Sequence, residues 1–418
     1  MGQATGCRVL AIMGSGETSP TMVTVHRALT ARLGASSPAA VLLDTPYAFQ
    51  ENAADVSARA RAYFARSVGL GLVPGEGPGL ADVRSADWVF CGPGSPSYAL
   101  ARWREDGTAQ ALRDRIAGGT GVTVMASAAA ATAGCVALPV YEVYKAGAEP
   151  HWLEGLDLMA SCGLRVAVIP HYDNAEGGTH DTRYCYLGER RLAILERLLP
   201  EGAAVLGVDE HTALVIDLDA GHAEVAGRGT VTVRRAGHST LLPAGTMIPL
   251  AGLRSLARHG PAGVTLPATA PGPAGVAGAP PGRDAPLTEI TTAAAGRFEE
   301  AAAARDVPAM VAAILDLEEA ISDWAADTEE DQGTAQSRAV LRGLITRLGE
   351  ITAAALAEGP AQRLAVAAGS LLSARASLRA QGLYPAADAI RDALAAAGLQ
   401  VRDTPVGTRW EGLPPLPC

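Results

Sequence analysis

Short apolar runs alternating with amphipathic stretches organise residues 1–258. Compact apolar runs bounded by turn residues fit buried strands, and apolar positions recurring every three or four residues fit helices packed by one face. The pattern predicts strands over Arg8–Met13, Ala40–Asp44, Trp88–Cys91, Gly121–Val124 and Arg165–Pro170. Helices are predicted over Thr21–Leu33, Glu51–Ser67, Ser97–Trp103 and Leu187–Leu199. Such alternation implies an α/β domain, an open and mostly parallel sheet flanked by helices. Four further β-rich runs, Ala204–Val208, Ala213–Asp217, Ala223–Ala226 and Thr230–Arg234, are broken by Asp-Ala-Gly and Arg-Gly. They predict antiparallel hairpins closing one edge of the sheet.

The pattern then fails and returns in another form. Residues 259–286 are rich in Gly, Pro and Ala, carry almost no bulky apolar side chain and have no period, as in a linker. Residues 287–418 regain helical periodicity, interrupted at Asp306-Val307-Pro308, Gly333, Gly359-Pro360 and Gly382. Three to five helices forming a separate C-terminal bundle are predicted, ending in an extended tail over Leu399–Trp410.

Composition sharpens this picture. A chain of 418 residues accommodates two or three domains. It is 48% hydrophobic but only 4% aromatic, so its cores must be built from Ala, Val, Leu and Ile, which favours helical and α/β layers over an all-β fold. The net charge of -10 gives no general attraction to phosphate backbones or anionic membranes. The six cysteines, Cys7, Cys91, Cys135, Cys162, Cys185 and Cys418, show no Cys-X-X-Cys and no Cys/His cluster, so neither a disulfide framework nor a metal site is expected. Val9–Met13 is too short for a signal-peptide core, and no run approaches the length of a membrane span. The expectation is a cytoplasmic protein with no membrane partner and no cofactor, compatible with a homo-oligomer.

The most informative chemistry lies at Gly121-Val-Thr-Val-Met-Ala-Ser127-Ala-Ala-Ala130, a buried strand running into a serine and then into small residues able to open a helix. A nucleophile elbow has this form: a serine on a tight strand-to-helix turn, its hydroxyl at the sheet's C-terminal edge. Met125 and Ala129 stand where Gly-X-Ser-X-Gly has glycine, which leaves open a divergent enzyme or an inactive relative. A serine needs a base, and the base an orienting acid. His171 follows a predicted strand in Pro-His-Tyr-Asp-Asn, on the edge where active sites of α/β sheets collect. Glu142, fifteen positions past the serine, is the expected acid.

With these residues the chain, over about 8–235, resembles the serine peptidases of the aspartyl dipeptidase and cyanophycinase group, within the class I glutamine-amidotransferase-like fold. Met125–Ala130 matches that group's Gly-X-Ser-Ala-Gly-Ala elbow in part, Pro170-His171-Tyr172 matches its Pro-His-Phe, and Asn174 repeats an asparagine seen shortly after. The resemblance implies Ser127 as nucleophile, His171 as base and Glu142 as acid. It also implies an oxyanion hole from the N–H groups of Gly94, in Gly92-Pro93-Gly94-Ser95, and Ala128. His180-Asp181-Thr182-Arg183 matches a segment whose arginine holds an acidic substrate side chain, so Arg183, Asp181, Asn174 and Ser95 are expected at the substrate. Gly14-Ser-Gly-Glu-Thr-Ser-Pro20 lacks the lysine of a phosphate-binding loop and is expected to border the site, with Glu17 and Thr18 facing substrate. A glutaminase would need cysteine in place of Ser127.

The C-terminal region, over about 297–411, resembles the end of bacterial cysteinyl-tRNA synthetases. The resemblance is carried by Ala-Asp-Ala-Ile-Arg-Asp at 387–392 and Asp-Thr-Pro-X-Gly-Thr-X-Trp at 403–410. The catalytic motifs of such an enzyme are missing, so synthetase activity is not expected. Residues 287–418 hold 11 Arg against 18 Asp and Glu, a net -7 that disfavours tRNA although Arg375, Arg379, Arg391, Arg402 and Arg409 offer a local stripe. The leading expectation is a serine hydrolase cleaving an amide in a small peptide or amino-acid conjugate. Its rivals are a non-catalytic protein binding tRNA or a translation partner, and a hydrolase of aminoacyl-tRNA or a cysteine conjugate.

Overall fold

The structure, a computed structural model, describes residues 7–74, 80–175, 177, 180–261, 285–324, 332–357, 360–404 and 407–412. The linker expected over 259–286 falls, but for its ends, outside the described residues. The chain packs as two units, Met1–Leu341 and Arg342–Cys418.

In the first unit the strands are β1 Arg8–Met13, β2 Ala40–Leu43, β3 Leu72–Pro74, β4 Trp88–Cys91, β5 Gly121–Ala126, β6 Val136–Ala137, β7 Leu153–Glu154, β8 Val166–Ile169, β9 Ala204–Val208, β10 Thr212–Asp217, β11 His222–Gly227, β12 Thr230–Arg235, β13 His238–Pro243 and β14 Met247–Pro249. One sheet has the order β14-β11-β10-β1-β5-β4-β2-β3, with β1 to β5 parallel and β10, β11 and β14 antiparallel. A second has the order β13-β12-β9-β8-β6-β7, parallel at its centre and antiparallel at both edges.

The α/β class and the parallel centre agree with the sequence pattern, but the strands divide between two sheets. Of the four late runs, β10 and β11 form the expected hairpin on the edge of the first sheet. The run Ala204–Val208 pairs antiparallel with β12, as expected of these runs, but its other edge pairs in parallel with β8, Val166 opposite Ala204 and Ile169 opposite Gly207. All five of its residues are buried, as a central parallel strand covered on both faces requires.

Strand alternation explains the layers. On β1, Leu10 and Ile12 face a core shared with Val168 of β8, Leu206 of β9 and the helix Pro96–Glu105, so this core lies between the sheets. Val9, Ala11 and Met13 face a second core closed by the helices Val23–Ala31 and Ala53–Tyr63. An aromatic group lies there: Phe64 and Phe90 are 4.8 Å apart, and His26 packs edge to face with Phe64 at 4.8 Å. Burial holds the His26 imidazole neutral, its pKa lowered to about 4, and its Nε2 donates to the Glu17 carbonyl at 2.7 Å, anchoring the 14–20 loop.

The helices Leu287–Ala303 and Val307–Trp324 pack together, Ala294, Phe298, Met310 and Leu317 being buried among their side chains, and belong to the first unit. The boundary between units falls inside the next helix, Gln332–Ala357. Pro360–Ala380 and Tyr384–Ala396 follow, making five helices among the described residues of the C-terminal region. The expected extended tail is a hairpin, β15 Leu399–Thr404 paired antiparallel with β16 Gly407–Gly412. Arg375, buried at 1% exposure, holds this hairpin through Asp403 with two contacts of 2.7 Å.

Candidate active site

β5 is central and buried along its whole length, and its end delivers Ser127 to a tight turn. Ala126 is extended, Ser127 has φ 47°, and the helix Ser127–Thr132 begins at once. A left-handed serine is strained by roughly 1–2 kcal/mol. The turn is held by its neighbours: Ala128 to Ala131 are all buried, and the Ala129 N–H donates to the Gly92 carbonyl at 3.2 Å. Met125 and Ala129 do not block the elbow, because both side chains lie in the core between the sheets.

β8 delivers the second residue. His171 also has φ 47°, and its carbonyl accepts N–H groups from Cys185 at 3.0 Å and Asn174 at 3.2 Å. Its Nε2 lies 3.0 Å from Ser127 Oγ, and its Nδ1 lies 2.9 Å from Glu210 Oε1. An ionised carboxylate only accepts, so Nδ1 carries the proton and Nε2 offers a lone pair to the serine hydroxyl.

The carboxylate beside His171 is therefore Glu210, and this corrects the expectation placed on Glu142. Glu142, on the helix Val140–Tyr144, accepts from Ser97 Oγ at 2.5 Å. Glu210 comes from the segment after β9, and since β9 lies parallel to β8 the two strands end side by side; Tyr172 N–H donates to the Val208 carbonyl at 3.1 Å. Reading Ala204–Val208 only as part of an antiparallel edge hides this, since it leaves out the parallel neighbour β8 that brings Glu210 beside His171. The parallel partner of β8 was the missing signal.

Glu210 Oε1 also accepts from Asn174 Nδ2 at 3.1 Å, and the Glu210 N–H donates to Asp173 Oδ1 at 2.8 Å. Burial raises the Glu210 pKa, but the hydrogen bond and electrostatic pull of His171, the hydrogen bond from Asn174 and the pull of His211 outweigh it and hold the group below its ordinary value. Its neighbours behave oppositely. Asp209 is pushed up to about 7 by burial and by the charge of Asp173, and Asp173 is raised mainly by burial.

Gly94 has φ 130°, and a Cβ there would lie 2.1 Å from the Pro46 carbonyl, so this turn admits glycine alone. The N–H of Ala128 lies in the first turn of its helix, where no intrahelical acceptor exists. Other expected substrate residues have different engagements. Ser95 caps the helix Pro96–Glu105, accepting from the Tyr98 N–H at 3.3 Å. Asn174 is fully buried behind Glu210, and Glu17 and Thr18 are fully buried too. Arg183 is clamped by Asp181, with Nε to Oδ1 at 2.8 Å and Nη2 to Oδ2 at 2.9 Å, so the two neutralise each other.

The expected arginine stripe is likewise largely paired. Arg375 and Arg379 share Asp403, and Arg391 meets Asp388 and Asp392. Among the described residues no group of three or more His, Cys, Asp and Glu is placed to hold a metal, and no helix is long and apolar enough to cross a membrane.

Two solved structures are similar to this chain. A peptidase from an acI-B1 Actinobacterium is 18% identical with a TM-score of 0.43, covering 59% of this chain and 98% of its own. A putative peptidase E protein from Listeria monocytogenes EGD-e is 15% identical with a TM-score of 0.37, covering 53% of this chain and 98% of its own. Among curated proteins, the cysteine–tRNA ligase of Salinibacter ruber is 57% identical over 42 residues. That match is 10% of this chain, and the chain spans only 8% of the ligase's length. Residues 361–410 match the family described as the cysteinyl-tRNA ligase anticodon binding domain, a stretch that holds the helix pair and the hairpin locked by Arg375 and Asp403.

Proposed function

We propose that the α/β region is a serine hydrolase that cleaves an amide in a small peptide or amino-acid conjugate. The observation that carries this reading is the continuous relay Ser127 Oγ, His171 Nε2, His171 Nδ1, Glu210 Oε1, with contacts of 3.0 and 2.9 Å. Ser127 Oγ attacks the acyl carbon as its proton passes to His171 Nε2. The N–H groups of Gly94 and Ala128 receive the developing oxyanion. Nε2 then gives the proton to the leaving amine, the C–N bond breaks, and an acyl-serine remains. A water loses its proton to Nε2 and attacks the acyl carbon. The acid product leaves as Nε2 returns that proton to Ser127 Oγ. Glu210 keeps Nδ1 protonated and stabilises the transient imidazolium, and Asn174 keeps Glu210 in place.

A fluorophosphonate probe tests the assignment: wild-type protein should be labelled at Ser127 and Ser127→Ala should not. Equal labelling of both would remove Ser127 from the mechanism.

A second reading concerns the C-terminal unit, because residues 361–410 match a tRNA ligase domain. We infer that this unit keeps the architecture of an anticodon-binding domain without its affinity. Residues 342–418 hold 8 Arg against 6 Asp and Glu, a net of only +2, and the pairing of Arg375, Arg379 and Arg391 with aspartates leaves few free cations to release counterions from a phosphate backbone.

A further inference from the structure

The segment that carries Glu210 is secured through its neighbour. His211 has φ 53°, a conformation that persists in a non-glycine residue only where the surroundings fix it. Its N–H donates to the Ser15 carbonyl at 3.1 Å and its carbonyl accepts from the Arg228 N–H at 3.0 Å. Its Nδ1 lies 2.9 Å from Thr21 Oγ1 and 3.2 Å from Ser19 Oγ. The imidazole rests on Gly16, where a Cβ would come within 2.2 Å of Nδ1. The glycine loop singled out in the sequence is thus the seat of His211.

Against the same ring packs Trp324, the last residue of the helix Val307–Trp324, edge to face with centroids 5.6 Å apart at 77°. Trp324 is 4% exposed. Its Nε1 makes no hydrogen bond among the described residues, so packing against its surroundings holds the indole in place. We propose that Trp324 is a positioning residue of the hydrolytic site: seated on His211, it fixes the 209–212 segment and thereby holds Glu210 on His171 Nδ1. This rests on the serine-hydrolase reading and gives the helices after residue 286 a part in the chemistry. The apolar contact sits one residue from the acid, so a change in the helix reaches the triad through His211 without touching substrate.

The test uses the full chain as Trp324→Leu, which keeps an apolar side chain but loses the ring, and as Trp324→Phe, which restores a ring. Two quantities are read: the rate of Ser127 labelling by a fluorophosphonate, and the far-downfield proton resonance of His171 Nδ1–H, identified by its loss in His171→Asn. Trp324→Leu should label about 10-fold more slowly, short of the ~100-fold that a 1 Å misplacement brings. Its resonance should shift or broaden, and Trp324→Phe should recover both. An unlabelled wild type would sink the hydrolase reading itself. The resonance decides the positioning claim in either case, because an unmoved signal in Trp324→Leu overturns it.

Discussion

Ser127 and His171 meet at 3.0 Å through Oγ and Nε2, and each holds its own backbone at φ 47°. Both ends of the hydrogen bond are thus residues in a conformation that favours glycine, one closing a strand of each sheet. Strain of this kind persists where surrounding contacts over-determine the backbone, and it gathers at functional sites. Here those contacts are the Gly92 carbonyl for the serine turn and the Asn174 and Cys185 N–H groups for the histidine.

The two candidate acids separate cleanly by substitution. Glu210→Gln leaves the fold's packing nearly unchanged but takes the charge from Nδ1, and should slow fluorophosphonate labelling by ~100- to 10,000-fold, as loss of a triad carboxylate does elsewhere. Glu142→Gln should change it by no more than a few-fold. The reverse ranking would return the acid's role to Glu142.

Gly94→Ala probes the turn proposed to donate to the oxyanion. The new methyl group meets the Pro46 carbonyl and the φ of 130° resists any side chain, so the turn must move. Labelling or turnover should fall by ~100- to 1000-fold, the usual loss when one oxyanion donor is displaced. The melting temperature should also drop. Full activity in a stable Gly94→Ala protein would exclude this N–H from the mechanism.

What the sequence disclosed and withheld follows from the range of each signal. The bounds of β1 and β4 were readable because a buried strand declares itself in consecutive apolar residues. Ser127 and His171 were readable because each stands within two residues of the end of such a strand. Glu210 was not, since its place depends on β9 lying beside β8, a long-range pairing that no local pattern encodes. The division into two sheets was hidden for the same reason. Arg183 and Asp181 were both expected at the substrate, and only the folded arrangement shows that they satisfy each other.

Asp209 makes stability depend on pH. Its carboxyl titrates at about 7 in the folded protein and at about 4 in an unfolded chain. The folded state therefore binds the extra proton between those values. The contribution is complete below about pH 4 and is lost as pH rises through about 7. Asp209→Asn keeps an acceptor for the Thr230 N–H and removes the ionisation. It should be more stable than wild type by ~1–2 kcal/mol at pH 8, solvent screening of the half-buried carboxyl being allowed for, with the gap closing towards pH 4. Urea midpoints across that range check it, and a gap independent of pH would refute the account.

Full-length protein should bind tRNA no tighter than about micromolar at physiological salt, with little preference for cysteine tRNA. Electrophoretic shift assays over a salt series measure this. Tight binding selective for cysteine tRNA would favour an aminoacyl-tRNA or cysteine-conjugate substrate over a free peptide.

The relay also spans two bodies. Ser127 follows β5 in one sheet, His171 follows β8 in the other, and Glu210 lies on the crossing from β9 to β10 that joins them. The three side chains therefore work as a caliper across the inter-sheet core, closing only while Leu10, Val168 and Leu206 keep the sheets in registry. A slip of an ångström would leave every strand intact and still part the hydroxyl from the imidazole. On the proposed mechanism, labelling of Ser127 would be the finest gauge of that registry, expected to fail under mild heat or pressure while the backbone still looks native to spectroscopy.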